Sequence, residues 1–110
     1  MRITEEKIGD EIKLLDILSK SYQKALKDLD RIDKYLFGDD ISYACEDIYS
    51  RMSNIIKETS AMEGIGEENI FVQNYIKARD IILHNTLDEA TNICTKHLKE
   101  IEEARCSISK

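Results

Sequence analysis

Proline and tryptophan are absent from this chain of 110 residues, and glycine occurs only four times. Few residues are therefore available to break helices or to shape the tight turns of a β-rich fold. Aromatic residues make up 6 %. Long apolar runs are missing too. The longest reach a few residues, far short of the roughly 20 that a membrane-spanning helix needs. The opening stretch MRITEEKIGDEIK is charged and no apolar run follows it, so a secretion signal is not expected. The three cysteines, Cys45, Cys94 and Cys106, are far apart and odd in number. They form neither a disulfide framework nor a C-x-x-C metal pair, so reduced thiols in the cytoplasm are expected. No metal or cofactor is expected. A basic excess is also lacking: 16 Lys and Arg face 22 Asp and Glu, a net charge of −6. That argues against a general nucleic-acid coat or a membrane-surface binder, which need a broad positive field. A local basic cleft stays open, built from a few chosen residues or by two copies facing each other.

Apolar residues (42 %) and charged residues (35 %) are both abundant. That mixture suits amphipathic helices, and the length suits one domain, residues 1–110, with a modest core. In residues 4–37 the apolar positions Ile8, Ile12, Leu15, Leu18, Tyr22, Leu26, Leu29, Ile32 and Leu36 step by three and four, which predicts one long helix. Thr4 is a candidate N-cap. Gly38 fits a left-handed C-terminal position and Asp40 a second N-cap. Residues 41–62 keep the helical step, and EGIGEEN then reads as a loop. A third helix starts near Asn69 and carries IFVQNYIKARDIILHN. Its apolar arc covers more than half of the circumference, so it is expected at the centre of the bundle. HNTLD is a weaker break, with Thr86 or Asp88 as cap, and a last helix runs to about residue 105. The expected fold is all-α, an up-and-down bundle of four helices, or five.

Arg79 draws attention because it falls inside the apolar arc of the third helix, among Val72, Tyr75, Ile76 and Leu83. A buried, unpaired guanidinium costs several kcal/mol, so it needs a partner, a cleft or another subunit. His84 lies five residues on, about 140° around the helix, so the two side chains diverge within one straight helix. Asp80 and His84 are four apart and share a face, and Asp80 is positioned to orient the imidazole.

RDIILH resembles the Arg, polar residue, three residues, His signature of HEPN domains, helical ribonucleases of toxin–antitoxin and antiphage systems. The closer resemblance is to HepT-type toxins paired with a minimal nucleotidyltransferase (MNT) antitoxin. It runs over roughly residues 40–105 and includes RMSNIIKE, NYIKARDIILHN and LDEATNICTKHLKEIEE. The resemblance implies a HEPN-like fold and a metal-independent endoribonuclease whose catalytic pair is Arg79 and His84. His84 would act as general base or acid at the ribose 2′-OH and the leaving oxygen. Arg79 would hold the scissile phosphate. Asp80, Asn85 and Thr86 would support the pair, and Arg51, Glu58 and Tyr75 are candidate cleft residues. The resemblance also implies a homodimer with the motifs facing across the interface, RNA as substrate, and an MNT-type nucleotidyltransferase as partner. HepT proteins usually carry a tyrosine two residues after the histidine, which the partner modifies. Here that position is Thr86.

Each of these residues has a plainer reading. Tyr75 fits a core tyrosine as well as a base-stacking platform. His97, in the last helix's apolar stripe, fits the core better than a second catalytic role. Arg51 and Glu58 fit an ion pair or a solvated face as well as a cleft. A catalytically silent helical module that docks a nucleotidyltransferase or other partner is the alternative function. A third reading is a helical adaptor that binds through the first helix's apolar stripe.

Overall fold

Four of the apolar stripes become four helices. The computed structural model describes residues 3–60, 69–84 and 86–109. The helices are α1 (Ile3–Tyr35), α2 (Asp39–Ser60), α3 (Ile70–His84) and α4 (Leu87–Ser109). Among the described residues there is no strand. At 33 residues, α1 is about 50 Å long and sets the 56 Å long axis of the molecule.

Local chemistry explains the boundaries. Gly38 takes a φ of +59°, a left-handed conformation that costs a residue with a Cβ about 1–2 kcal/mol, so the chain turns there. α2 begins at Asp39, one residue earlier than the expected cap at Asp40. Both acids therefore lie in the first turn, where the helix dipole favours negative charge. Asn69 starts α3: its Oδ1 accepts the Phe71 N–H at 2.8 Å. Thr86 starts α4: its Oγ1 accepts the Glu89 N–H at 3.2 Å, and with Glu89 three residues on this is a capping-box sequence. Thr4, the candidate cap of α1, falls in the span from Ile3, and its side chain lies outside the described ones. Of the expected EGIGEEN loop, residues 63–68 lie outside the described residues.

Pairings along the helices give the topology. On the α1–α4 side, Asp16 meets Arg105 and Tyr22 meets His97. On the α1–α2 side, Asp28 meets Arg51, and Ile17 and Glu58 share a groove farther along. Ser53 meets Arg79 between α2 and α3, while Cys45 and Ile82 line one cleft nearer the end. α3 and α4 also pack against each other. Rising numbers on one helix meet falling numbers on the next, so all neighbours are antiparallel. α1 and α3 also touch across the diagonal.

The core holds Leu14, Leu15, Leu18, Tyr22, Leu29 and Ile32 from α1, with Ile48 and Met52, Val72 and Tyr75, and Cys94 and Ile101 from the other helices. The apolar stripe of α1 is thus the core of the bundle, which removes the reading of that stripe as a free docking face. α3 is not the enclosed central helix that its wide apolar arc predicts. It buries Val72, Tyr75, Ala78 and Ile82, yet Ile70 is 57 % and Leu83 36 % exposed. These two positions lie at opposite ends of α3, and among the described residues they reach the surface.

Nothing lies within 4 Å of a Cβ added at Gly38, so only backbone strain should oppose substitution there. Gly38→Ala is expected to lower stability by about 1 kcal/mol and Gly38→Asn by less, since asparagine tolerates the left-handed region. Urea unfolding of both variants measures this, and equal stability of Gly38→Ala and wild type would contradict it.

Candidate functional site

Arg79 projects from α3 toward α2, where two residues of α2 one turn apart meet it. Its guanidinium carbon lies 4.7 Å from the centre of the Tyr49 ring, a cation–π contact. NH1 donates to Ser53 Oγ at 3.2 Å. Nε and NH2 both donate to Asp80 Oδ1, at 3.1 and 3.0 Å. The side chain is 19 % exposed. The partner that a half-buried arginine requires is therefore supplied within the chain, and Arg79 clamps α3 to α2. A guanidinium has five N–H donors, so about two remain for a ligand.

The same geometry separates the expected catalytic pair. His84 is exposed at the end of α3, on the outer face with Gln73, Lys77 and Asp80. Among the described residues no hydrogen bond or ion pair joins it to Arg79. Asp80 accepts two hydrogen bonds from Arg79 and, among the described residues, none from His84, so the carboxylate orients the guanidinium and not the imidazole. Thr86 is exposed and serves as the α4 cap. Asn85 lies outside the described residues.

Arg51 and Glu58 sit on the other side of α2, in the groove against α1. Arg51 pairs with Asp28 and, at 3.7 Å, with Asp47. The ion-pair reading of Arg51 is the one that the geometry fits, and both residues lie on the side of α2 away from the Arg79 contacts.

Tyr75 is fully buried. Its ring packs edge-on against Tyr22, with centroids 5.1 Å apart, and its hydroxyl bonds to Ser21 Oγ. It is a core residue and offers no face to a base. Burial pushes its pKa up to about 12, against a lowering by the Ser21 bond. Tyr22 is raised further, also by burial. Burial pushes the Cys94 thiol up to about 12 and raises Cys45, so both stay protonated and unreactive at neutral pH. His97 is buried beside them, 3.5 Å from the Tyr22 hydroxyl through Nδ1. Burial lowers its pKa, opposed first by Glu100 and next aided by Lys96. It has the character of a core histidine.

Tyr49 and Ser53 were not evident from the sequence as neighbours of Arg79. The available signal was their spacing of four, which places a ring and a hydroxyl on one face of α2. Among the described residues, no group of histidine, cysteine and carboxylate side chains could hold a metal ion, and no helix is long and apolar enough to cross a membrane. No family model, curated protein or solved structure matches the chain.

His97 supplies a test of the core. Its folded pKa lies below its ordinary value, so the unfolded chain takes up the proton first as pH falls. Its contribution to stability is present above about pH 6.5 and is lost as the pH drops below that value. The loss of stability of the wild type between pH 7.5 and 5.5, read from urea midpoints, should be smaller in His97→Gln. An identical pH dependence would exclude the effect. Arg79→Ala should cost about 1–3 kcal/mol, because Ser53 and the Tyr49 ring lose their partner, with Asp80→Ala costing less.

Proposed function

We propose that this chain is a HEPN-like endoribonuclease toxin of a toxin–antitoxin or antiphage system, cutting RNA in the cytoplasm without a metal at a composite cleft between two copies. The reading rests on the RDIILH resemblance. One observation carries it into geometry: Arg79 is held by Ser53 and Tyr49 at the α2–α3 surface, while His84 is exposed and points elsewhere on the same helix. Among the described residues, a single copy brings the two groups into no common site. Two copies packed through this face would pool two guanidinium groups and two imidazoles, and would gather positive charge in an acidic protein.

In such a cleft Arg79 binds the scissile phosphate through its remaining N–H groups and stabilises the charge that grows on it. One His84 removes the proton from the ribose 2′-OH. The 2′ oxygen attacks phosphorus, the bond to the 5′ oxygen breaks, and the other His84 protonates that oxygen. The products are a cyclic phosphate and a free 5′-hydroxyl. Thr86 caps α4 where HepT proteins carry the modified tyrosine, so an MNT-type nucleotidyltransferase partner would act here by binding.

A catalytically silent relative is the second reading. It is favoured by the engagement of three of the Arg79 donors with Asp80 and Ser53. Purified protein incubated with RNA in EDTA separates the two. The nuclease reading expects cleavage that falls by about 10²–10⁴ in His84→Ala and in Arg79→Lys, which keeps the charge but loses the planar fork. Intact cleavage in both variants excludes it. No cleavage by folded wild-type protein selects the silent module.

A further inference from the structure

The net charge of −6 hides a basic stripe on α1. Lys20, Lys24, Lys27 and Arg31 are exposed and follow one another by four, three and four residues, so they line one face of the helix, opposite the core. Lys13 and Lys34 extend the same row. Among the described residues Lys20, Lys24, Lys27 and Arg31 have no acidic partner within salt-bridge distance. The nearby acids are engaged elsewhere: Asp28 with Arg51 and Asp30 with Lys34. From Lys20 to Arg31 the stripe is about 16 Å long, three helical turns.

Beside the stripe runs an open groove between α1 and α2. Its floor is apolar, formed by Ile17, Ala25, Ile48, Met52 and Ile55, and its rim carries Lys20, Lys24 and Arg51, with Glu58 as the one acid. An apolar floor beside a row of unpaired cations fits neither a bare phosphate backbone, which needs no apolar floor, nor a neutral helix, which leaves the cations unmatched. We propose that this groove docks an amphipathic helix of a partner protein, about three turns long, with apolar anchors at i, i+3, i+4 and i+7 and acidic residues along the flank that lies over α1. The surface is separate from the Arg79 face, which lies on the opposite side of α2, so the inference does not depend on the ribonuclease reading.

The probe is a labelled synthetic peptide with leucines at those anchor positions and glutamates on the flanks, titrated with the full chain and followed by fluorescence anisotropy. The expected result is saturable binding that weakens at least tenfold, about 1.4 kcal/mol, in the Lys20→Glu, Lys24→Glu double variant and on raising the salt. A matched peptide with lysine in place of glutamate should bind at least tenfold more weakly. Both substituted positions are exposed, and circular dichroism checks that the variant stays helical. Absence of binding, equal binding of the two peptides, or an unchanged affinity in the variant overturns the proposal. So does binding of a single-stranded RNA that the charge reversal abolishes when the acidic peptide does not bind, which would make the stripe a nucleic-acid surface. Conversion of a wild-type dimer to a monomer by the same reversal also overturns it, by making the groove a contact between copies.

Discussion

The contact between Tyr22 and Tyr75 holds the bundle across its diagonal, and most of the other placements follow from it. The rings meet edge-on at 5.1 Å, a geometry that contributes about 0.5–1.5 kcal/mol beyond the burial of the rings. Each ring also carries a hydroxyl into the core, and a buried hydroxyl left without a partner costs about 1–3 kcal/mol. The second quantity exceeds the first, so the pair is stable only with its polar neighbours in place. Ser21 serves Tyr75 from α1. His97 serves Tyr22 from α4, more weakly at 3.5 Å. Three helices are thereby fixed in rotation and not merely pressed together, which a purely aliphatic core does less well.

That rotation decides where Arg79 goes. With Tyr75 directed at α1, a residue one turn later on α3 lies about 40° farther round, at the edge that faces α2. Tyr49 and Ser53 receive it there. The Arg79 side chain is only 19 % exposed, yet its guanidinium has a ring face, a hydroxyl and a carboxylate around it, so its burial is offset without a second chain. The same rotation leaves Asp80 and His84 outside. A packing role and a chemical role for Arg79 do not exclude each other, because the planar fork that bonds Ser53 and Asp80 leaves donors on its outer side. The clamp limits how far the group can move, and a cleft that uses it must form where it already stands.

Periodicity made the four helices legible, because each buries a stripe with the helical step, and Gly38 was legible because few other residues accept its backbone angle. The cap at α2 was less so. Asp39 and Asp40 both suit a helix start, and one residue of shift changes neither the dipole nor the pattern. The width of the apolar arc on α3 suggested enclosure, but an arc measures what a helix offers, and among the described residues Ile70 and Leu83 at its two ends stay exposed. Arg79 was legible as a residue in need of partners. Their identity was not, since Ser53 and Tyr49 come from another helix and depend on the rotation set by Tyr22 and Tyr75. The divergence of Arg79 and His84 followed from helix geometry alone. The loss of Asp80 from His84 to Arg79 did not, because adjacent residues on a helix rarely meet and this pair does so only through the length of the arginine.

Charge was the most misleading summary of the sequence. A net value describes the field many ångströms away, while contacts act within a Debye length of about 8–10 Å at physiological salt. Within that range α1 is divided lengthwise: its inner face is aliphatic, its edges carry Asp28 and Asp30 already joined to cations, and its outer face is basic from Lys20 to Arg31. Unpaired cations of one sign in a row repel one another and do nothing for a monomer's stability. Their neighbour is an apolar groove, which is also unfavourable in water. Two features that each cost a free monomer something lie side by side on one face, and a single acidic, amphipathic occupant would satisfy both.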